Sequence, residues 1–246
     1  MQHPRAPESQ ERGFNPQQMA DMELRAVSDI LSVAVKRNLL HGDYSQPKVG
    51  GLCRDFAILA VSRFRESGIP ARLRVGFADY LLAGYWEDHW LCEWHDGRRW
   101  KRLDVEFSAI DDVSFDALDV PRKRFVTASE AWFLITDAPE TASRFGVHSL
   151  GLNGEWFVAG SLFREIAALR KLELKPWDYY DFSANPGVSV ELTKKSRAKT
   201  RQLAFRLKGT DINGKDEPQS ITDWPKPKRV ISFPQGEPVA IDLIGA

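Results

Sequence analysis

The chain has 246 residues, with 34 Lys and Arg against 34 Asp and Glu, so its formal net charge is zero. That balance argues against a dedicated binder of nucleic acid or of an anionic membrane surface, while a 43% hydrophobic content is enough to build a core. Two cysteines do not make a disulfide framework, no apolar run approaches a membrane span, and the polar start broken by Pro4 and Pro7 has no secretory h-region, so a reducing, cytoplasmic setting is expected.

Residues 1–14 read as a flexible tail. Asn15-Pro16 predicts a helix start, with Asn15 as N-cap and Pro16 at the first helical position. Met19, Met22, Val27, Ile30, Leu31, Ala34 and Val35 then follow the helical period. Gly42 and Pro47 mark a loop. A second helix is predicted from about Cys53 to Ser67, ended by Gly68 and barred from continuing by Pro70. The alternation of Leu73, Val75 and Phe77 predicts a strand over residues 71–77. An aromatic loop over 78–88, with Tyr80, Tyr85 and Trp86, leads into a hairpin predicted from residues 89–94 and 99–105 around Asp96-Gly97. Thr127-Ala128-Ser129-Glu130 is a capping box that predicts a helix reaching Ile135, and another helix is predicted from about Ser161 to Leu174.

This order, helices first and an antiparallel sheet second with further helices packed on it, is that of an α+β fold. From Ala184 the character changes: Asn185-Pro186-Gly187 is a break, followed by short β-like runs at 188–192, 204–207, 230–233 and 239–244. Eleven Lys and Arg against seven Asp and Glu make this stretch basic. The expected organisation is a tail over 1–14, a catalytic domain over 15–183, and a β-rich or partly disordered extension over 184–246.

Cys53 carries the chemistry. Gly50-Gly51 permits a sharp turn and a close approach of backbone to a ligand. A thiol in the first turn of a helix feels the positive end of the helix dipole, which favours the thiolate. The Asp96-Gly97 pair predicts a two-residue hairpin loop, which sets His95 against Arg98 and therefore His89 against Asp104 on one face. A three-residue loop would break that register. A carboxylate opposite an imidazole can orient it, so Cys53, His89 and Asp104 read as nucleophile, base and orienter. Each taken alone has a bland reading: a small buried hydrophobe, a structural histidine, a turn-forming aspartate. Cys92, on the opposite hairpin face from His89, reads as core. No Cys/His group stands at metal-ligand spacing, so neither metal nor cofactor is expected.

These residues resemble the transglutaminase-like superfamily, the papain-related fold of transglutaminases, peptide N-glycanases and many bacterial thiol enzymes. The stretches that carry the resemblance are Gly51-Leu52-Cys53-Arg54-Asp55-Phe56-Ala57, Ser67-Gly68-Ile69-Pro70-Ala71-Arg72, Asp88-His89-Trp90-Leu91-Cys92-Glu93-Trp94 and Arg99-Trp100-Lys101-Arg102-Leu103-Asp104. The run from Gly160 to Leu169, with Pro176-Trp177-Asp178 after it, looks like a small bacterial branch. The resemblance implies a papain/transglutaminase-like core in which Cys53 attacks an amide or thioester carbonyl, His89 is the general base and Asp104 the orienting carboxylate. It implies a peptide, protein or small acyl or amide substrate, with water or an amine as acceptor. Gly51, Leu52, Tyr85 and Trp86 are the candidate substrate-binding residues, although the rings can equally cap the core. The competing reading is a binding or scaffolding protein on the same fold. A third takes the basic run from Lys194 to Arg201 as a partner or nucleic-acid contact, for which the global charge gives little support.

Overall fold

The computed structural model describes residues 1–4, 13–41, 45–108, 114–180, 191–208, 221, 223–224 and 226–243. The fold is α+β. Two short helices, α1 (Pro16–Asp21) and α2 (Val27–Lys36), precede α3 (Cys53–Glu66). Then follow β1 (Ala71–Ala78), β2 (Trp86–His95), β3 (Trp100–Leu103), β4 (Phe125–Thr127), α4 (Ala128–Asp137), β5 (Phe145–Val147), β6 (Leu152–Asn153) and α5 (Glu155–Leu169). The chain continues through β7 (Asp178–Tyr179), α6 (Lys194–Lys208), β8 (Arg229–Ser232) and β9 (Val239–Asp242).

β2 is the spine of a six-stranded mixed sheet ordered β4-β1-β2-β5-β6, with β3 pairing to β2 beside its C-terminal half. β1 and β3 run antiparallel to β2, and β5 joins its first residues in parallel. β7, β8 and β9 make a separate antiparallel sheet. Helix α3 packs Ala57 and Val61 on the sheet face that carries Leu73, Val75, Trp90 and Cys92. The alternate residues of the same strands bury charge instead. Arg72 lies opposite Glu93 and Glu93 lies opposite Arg102, a rung across three strands. Both arginines donate to Glu93, Arg74 bridges Glu93 and Glu165, and all of these groups are buried.

Several elements differ from the sequence reading. The helical period from Asn15 onward is split: α1 ends at Asp21 and α2 starts at Val27, so Ile30 and Ala34 are buried while Leu31 and Val35 stay exposed. Met1 to His3 do not hang free, because Gln2 forms a parallel bridge with Gly50. The last long helix of the first part starts at Glu155 and ends at Leu169, earlier at both ends than its apolar run suggests. The run 204–207 is helical: α6 lays Leu203, Ala204 and Leu207 into the same core as Trp132, Phe157 and Leu162. Runs 230–233 and 239–244 supply β8 and β9. The turn at Gly42, the break at Asn185-Pro186-Gly187, residues 5–12 and residues 188–190 lie outside the described residues.

Candidate active site

The site begins with two glycines. A Cβ on Gly50 would come to 2.2 Å of the Gln18 carbonyl oxygen, so only glycine lets the segment pass α1 this closely. The Gly50 amide donates to Asp21, which also pairs with Arg37. Close packing on α1, rather than an unusual backbone angle, is what this glycine serves. Leu52 is the N-cap of α3, and its amide donates to the Asp55 carboxylate at 3.0 Å. Asp55 also accepts from Arg54 at 2.8 Å and from Lys175 at 2.9 Å, which ties the start of the helix to a segment more than a hundred residues later. Cys53 is the first residue of α3, half-buried and unbridged.

His89 and Asp104 come from the hairpin, in a register two residues from the expected one. The pairs are Cys92 with Leu103, Glu93 with Arg102, Trp94 with Lys101 and His95 with Trp100. The loop centres on Gly97-Arg98: Gly97 has φ +97°, the Asp96 amide donates to the Arg99 carbonyl, and Asp96 Oδ1 accepts from the amides of Arg98 and Arg99. Asp96 therefore caps the turn and Gly97 takes its first central position, which suits a type II′ hairpin. The Arg72-Glu93-Arg102 rung fits this register and would be lost in the other. A shift of two keeps every side chain on its face. Asp104 thus sits diagonally from His89 instead of directly opposite, yet on the same side.

The contact forms all the same. His89 Nε2 lies 2.8 Å from Asp104 Oδ2, and both residues are 2% exposed. An ionised carboxylate only accepts, so Nε2 carries a proton, and in the neutral form of the ring Nδ1 holds the lone pair. The Cys53 sulfur lies within 4.8 Å of an imidazole nitrogen, close enough for the two groups to influence each other's titration. Asp104 is held on all sides. Tyr80 donates its hydroxyl to Oδ2 at 2.6 Å, while Oδ1 accepts from the amides of Glu106 and Phe107. The Tyr80 ring packs edge-on to His89 and Phe107.

The electrostatics follow from burial and these contacts. Burial pushes the Cys53 thiol up, with His89 working against it. Burial disfavours a charge on His89, but Asp104 outweighs it and lifts the imidazole well above its usual value. Burial would likewise raise Asp104; His89 and Tyr80 overcome that and hold the carboxyl below the usual range. Cys92 is fully buried, and burial drives its thiol far up.

The structure therefore brings Cys53, His89 and Asp104 together, with Gly51 and Leu52 directly before the thiol. The Met1 side chain lies over Gly51, whose amide donates to the Gln2 carbonyl. Tyr85 packs its ring on His148 and Trp86 stacks on Phe145, at the end of β2 that pairs with β5. Two further residues belong to the neighbourhood. Tyr80 is legible in the aromatic loop as one of the rings that could line or shield an acyl site, but its hydrogen bond to Asp104 is not. Glu106 had no signal, since its place depends on the turn that follows Asp104. Its carboxylate, the Cys53 sulfur and a His89 nitrogen lie within 4.8 Å of one another. Among the described residues no helix is long and apolar enough to cross a membrane.

Comparison with known proteins gives no match among curated proteins or solved structures. Residues 38–105 match the model of the transglutaminase-like superfamily, and the match spans Cys53, His89 and Asp104. The α+β architecture is consistent with a transglutaminase-like core.

Proposed function

We propose that this protein performs cysteine-dependent acyl chemistry: cleavage of an amide or thioester, or transfer of the acyl group to an amine, through a thioester on Cys53. The observation that carries the reading is the convergence of a thiol at a helix start with a histidine whose far nitrogen is held by a carboxylate at 2.8 Å. The family suggests cysteine-based catalysis in general. In the proposed cycle the thiol proton passes to His89 Nδ1 and the sulfur attacks the carbonyl carbon. The imidazolium, stabilised by Asp104, then gives that proton to the leaving group. Water or an amine attacks the thioester, with His89 again as base. Backbone N–H groups at the start of α3 are the natural donors to the oxyanion. Gly51 and Leu52 would flank the acyl group, while Tyr85 and Trp86 pack on His148 and Phe145 instead.

The test is mass spectrometry of the protein incubated with amide and thioester donors, with and without a primary amine. An acyl adduct on Cys53 that decays to acid alone means hydrolysis, and one that decays to amide when amine is present means transfer. Cys53→Ala should abolish turnover, His89→Ala should lower it as far, and the double variant should be little worse than either, because such groups act as a unit. An unchanged rate in a folded Cys53→Ala variant defeats the proposal. A donor panel that leaves Cys53 unmodified, with the thiol inert to iodoacetamide, would favour the scaffolding alternative.

A further inference from the structure

Three donor atoms of different kinds converge at the mouth of the site: a sulfur, an imidazole nitrogen and a carboxylate oxygen. Cys53, His89 and Glu106 place these within 4.8 Å of one another, His89 buried and the other two half-buried, so that a small ion can reach them. From this arrangement we infer that Cys53, His89 and Glu106 form a three-ligand site for a divalent transition ion of the zinc class, beside which His3 Nδ1 stands 3.8 Å from the Glu106 carboxylate.

The coordination chemistry supports each part. Zinc holds thiolate sulfur at about 2.3 Å and nitrogen or oxygen at about 2.0–2.2 Å, so tetrahedral donors stand roughly 3.3–3.6 Å apart. The separations here require only small side-chain rotations. The histidine is already prepared as a ligand. Its Nε2–H is held by Asp104 at 2.8 Å, which fixes the ring so that Nδ1 is the nitrogen a metal takes, displacing any proton there. A carboxylate behind a ligating histidine is the usual outer partner in zinc sites, and it sharpens both orientation and basicity. Tyr80 and two backbone amides fix that carboxylate in turn. Charge also balances: a dipositive ion with one thiolate and one carboxylate is neutral, which suits a half-buried place. On binding, the Cys53 S–H bond is lost and a metal–sulfur bond forms; the thiol proton goes to solvent, joined by the Nδ1 proton of His89 where the ring starts as imidazolium, with no change of oxidation state. Borderline-soft ions that accept sulfur and imidazole are favoured over calcium or magnesium.

The sequence offers no such cluster, because its members are 36 and 17 residues apart and the last arrives only through the turn after Asp104. The site does not depend on the acyl reading. Only one consequence does: a metal on Cys53 removes the nucleophile and so holds the enzyme off.

Cobalt(II) titration tests the site directly. The protein should bind one equivalent, with a thiolate-to-cobalt charge-transfer band and the intense visible bands of a four-coordinate ion. Cys53→Ser should lose the charge-transfer band. Glu106→Gln should weaken cobalt binding at least tenfold, and Asp104→Asn by about 10–100-fold. On the unsubstituted protein, zinc should slow iodoacetamide labelling of Cys53, with EDTA restoring it. Absence of the band, its survival in Cys53→Ser, unchanged affinity in Glu106→Gln, or labelling indifferent to zinc would each overturn the site. None of these readouts requires turnover. A chain that binds cobalt as described but forms no acyl adduct would therefore sink the proposed function and leave the metal site standing.

Discussion

At the scale of single residues, what matters is which atom faces which. His89 turns Nε2 to Asp104, and because the carboxylate is an acceptor only, that nitrogen carries a proton. The two thiols then separate cleanly. Cys53 has a helix start and an imidazole beside it, whereas Cys92 is sealed in the core with its thiol pushed far up by burial. Iodoacetamide at neutral pH should label Cys53 at least tenfold faster than Cys92, read by peptide mass spectrometry, and equal rates would defeat the assignment. In the proposed chemistry Tyr80, through its bond to Asp104, acts as a positioning residue. Tyr80→Phe removes one donor from Asp104, which makes the carboxylate more basic and the imidazolium more stable. The limb of the pH–rate profile that reports His89 should move to higher pH, with a loss of kcat of roughly tenfold or less. A merely structural tyrosine would lower activity without moving that limb. Cys53, His89 and Asp104 could all be singled out in the sequence, because each stands at a position with its own local signal. Glu106 could not, since nothing local distinguishes it from an exposed strand-end glutamate.

At the scale of elements, the hairpin shows how a correct pairing of residues can rest on a wrong register. Asp96-Gly97 does mark the turn, but aspartate prefers to cap the next amides with its side chain, and that moves the loop centre by one residue and the register by two. Side-chain parity survives an even shift, so Asp104 stays on the face of His89. What decides the register is the buried rung through Glu93, which no pattern of apolar residues announces. Glu93→Gln would leave Arg72, Arg74 and Arg102 sharing a neutral partner inside the sheet. Breaking a buried ion network from one side costs about 3–5 kcal/mol, so urea unfolding should show a loss of that order. A change below about 1 kcal/mol would mean that the arginines find other partners. α6 was misread for a related reason. Its first turns carry mostly basic and small residues, and its apolar positions, Leu203, Ala204 and Leu207, are too few and too late to declare a helical period. Burial against α4 and α5 supplies what local pattern lacks.

At the scale of the molecule, zero net charge conceals a strongly charged interior, and this interior connects distant parts of the chain to the nucleophile helix. Lys175 is the clearest case. Its ammonium is buried, hydrogen-bonded to Asp55 at 2.9 Å, and stands behind the turn that presents Cys53. The core likewise runs across residue 183, since Leu203, Leu207, Trp224 and Val230 pack with Phe157, Leu162 and Phe163. A chain truncated after residue 183 would expose that surface, and we expect it to be insoluble or to melt well below the full chain. The pH dependence of stability can be argued with signs. Burial would raise Glu93, but its arginines hold it far below the unfolded value of 4.5, so its contribution is present above that pH and is lost as pH falls through the folded value. Lys175 works the other way. Burial lowers it from 10.5 to about 8, with Asp55 opposing, so between those values the unfolded chain binds a proton that the folded chain does not. Stability therefore gains from Lys175 as pH rises from about 8 to about 10.5, at up to about 1.4 kcal/mol per pH unit. Lys175→Met removes this gain while Arg54 remains to pair with Asp55. Thermal unfolding across that range should show the variant losing ground to the parent as pH rises. Parallel Tm curves for the two proteins would mean that Lys175 titrates as it does in water, and that the helix carrying Cys53 is not anchored through a desolvated ammonium.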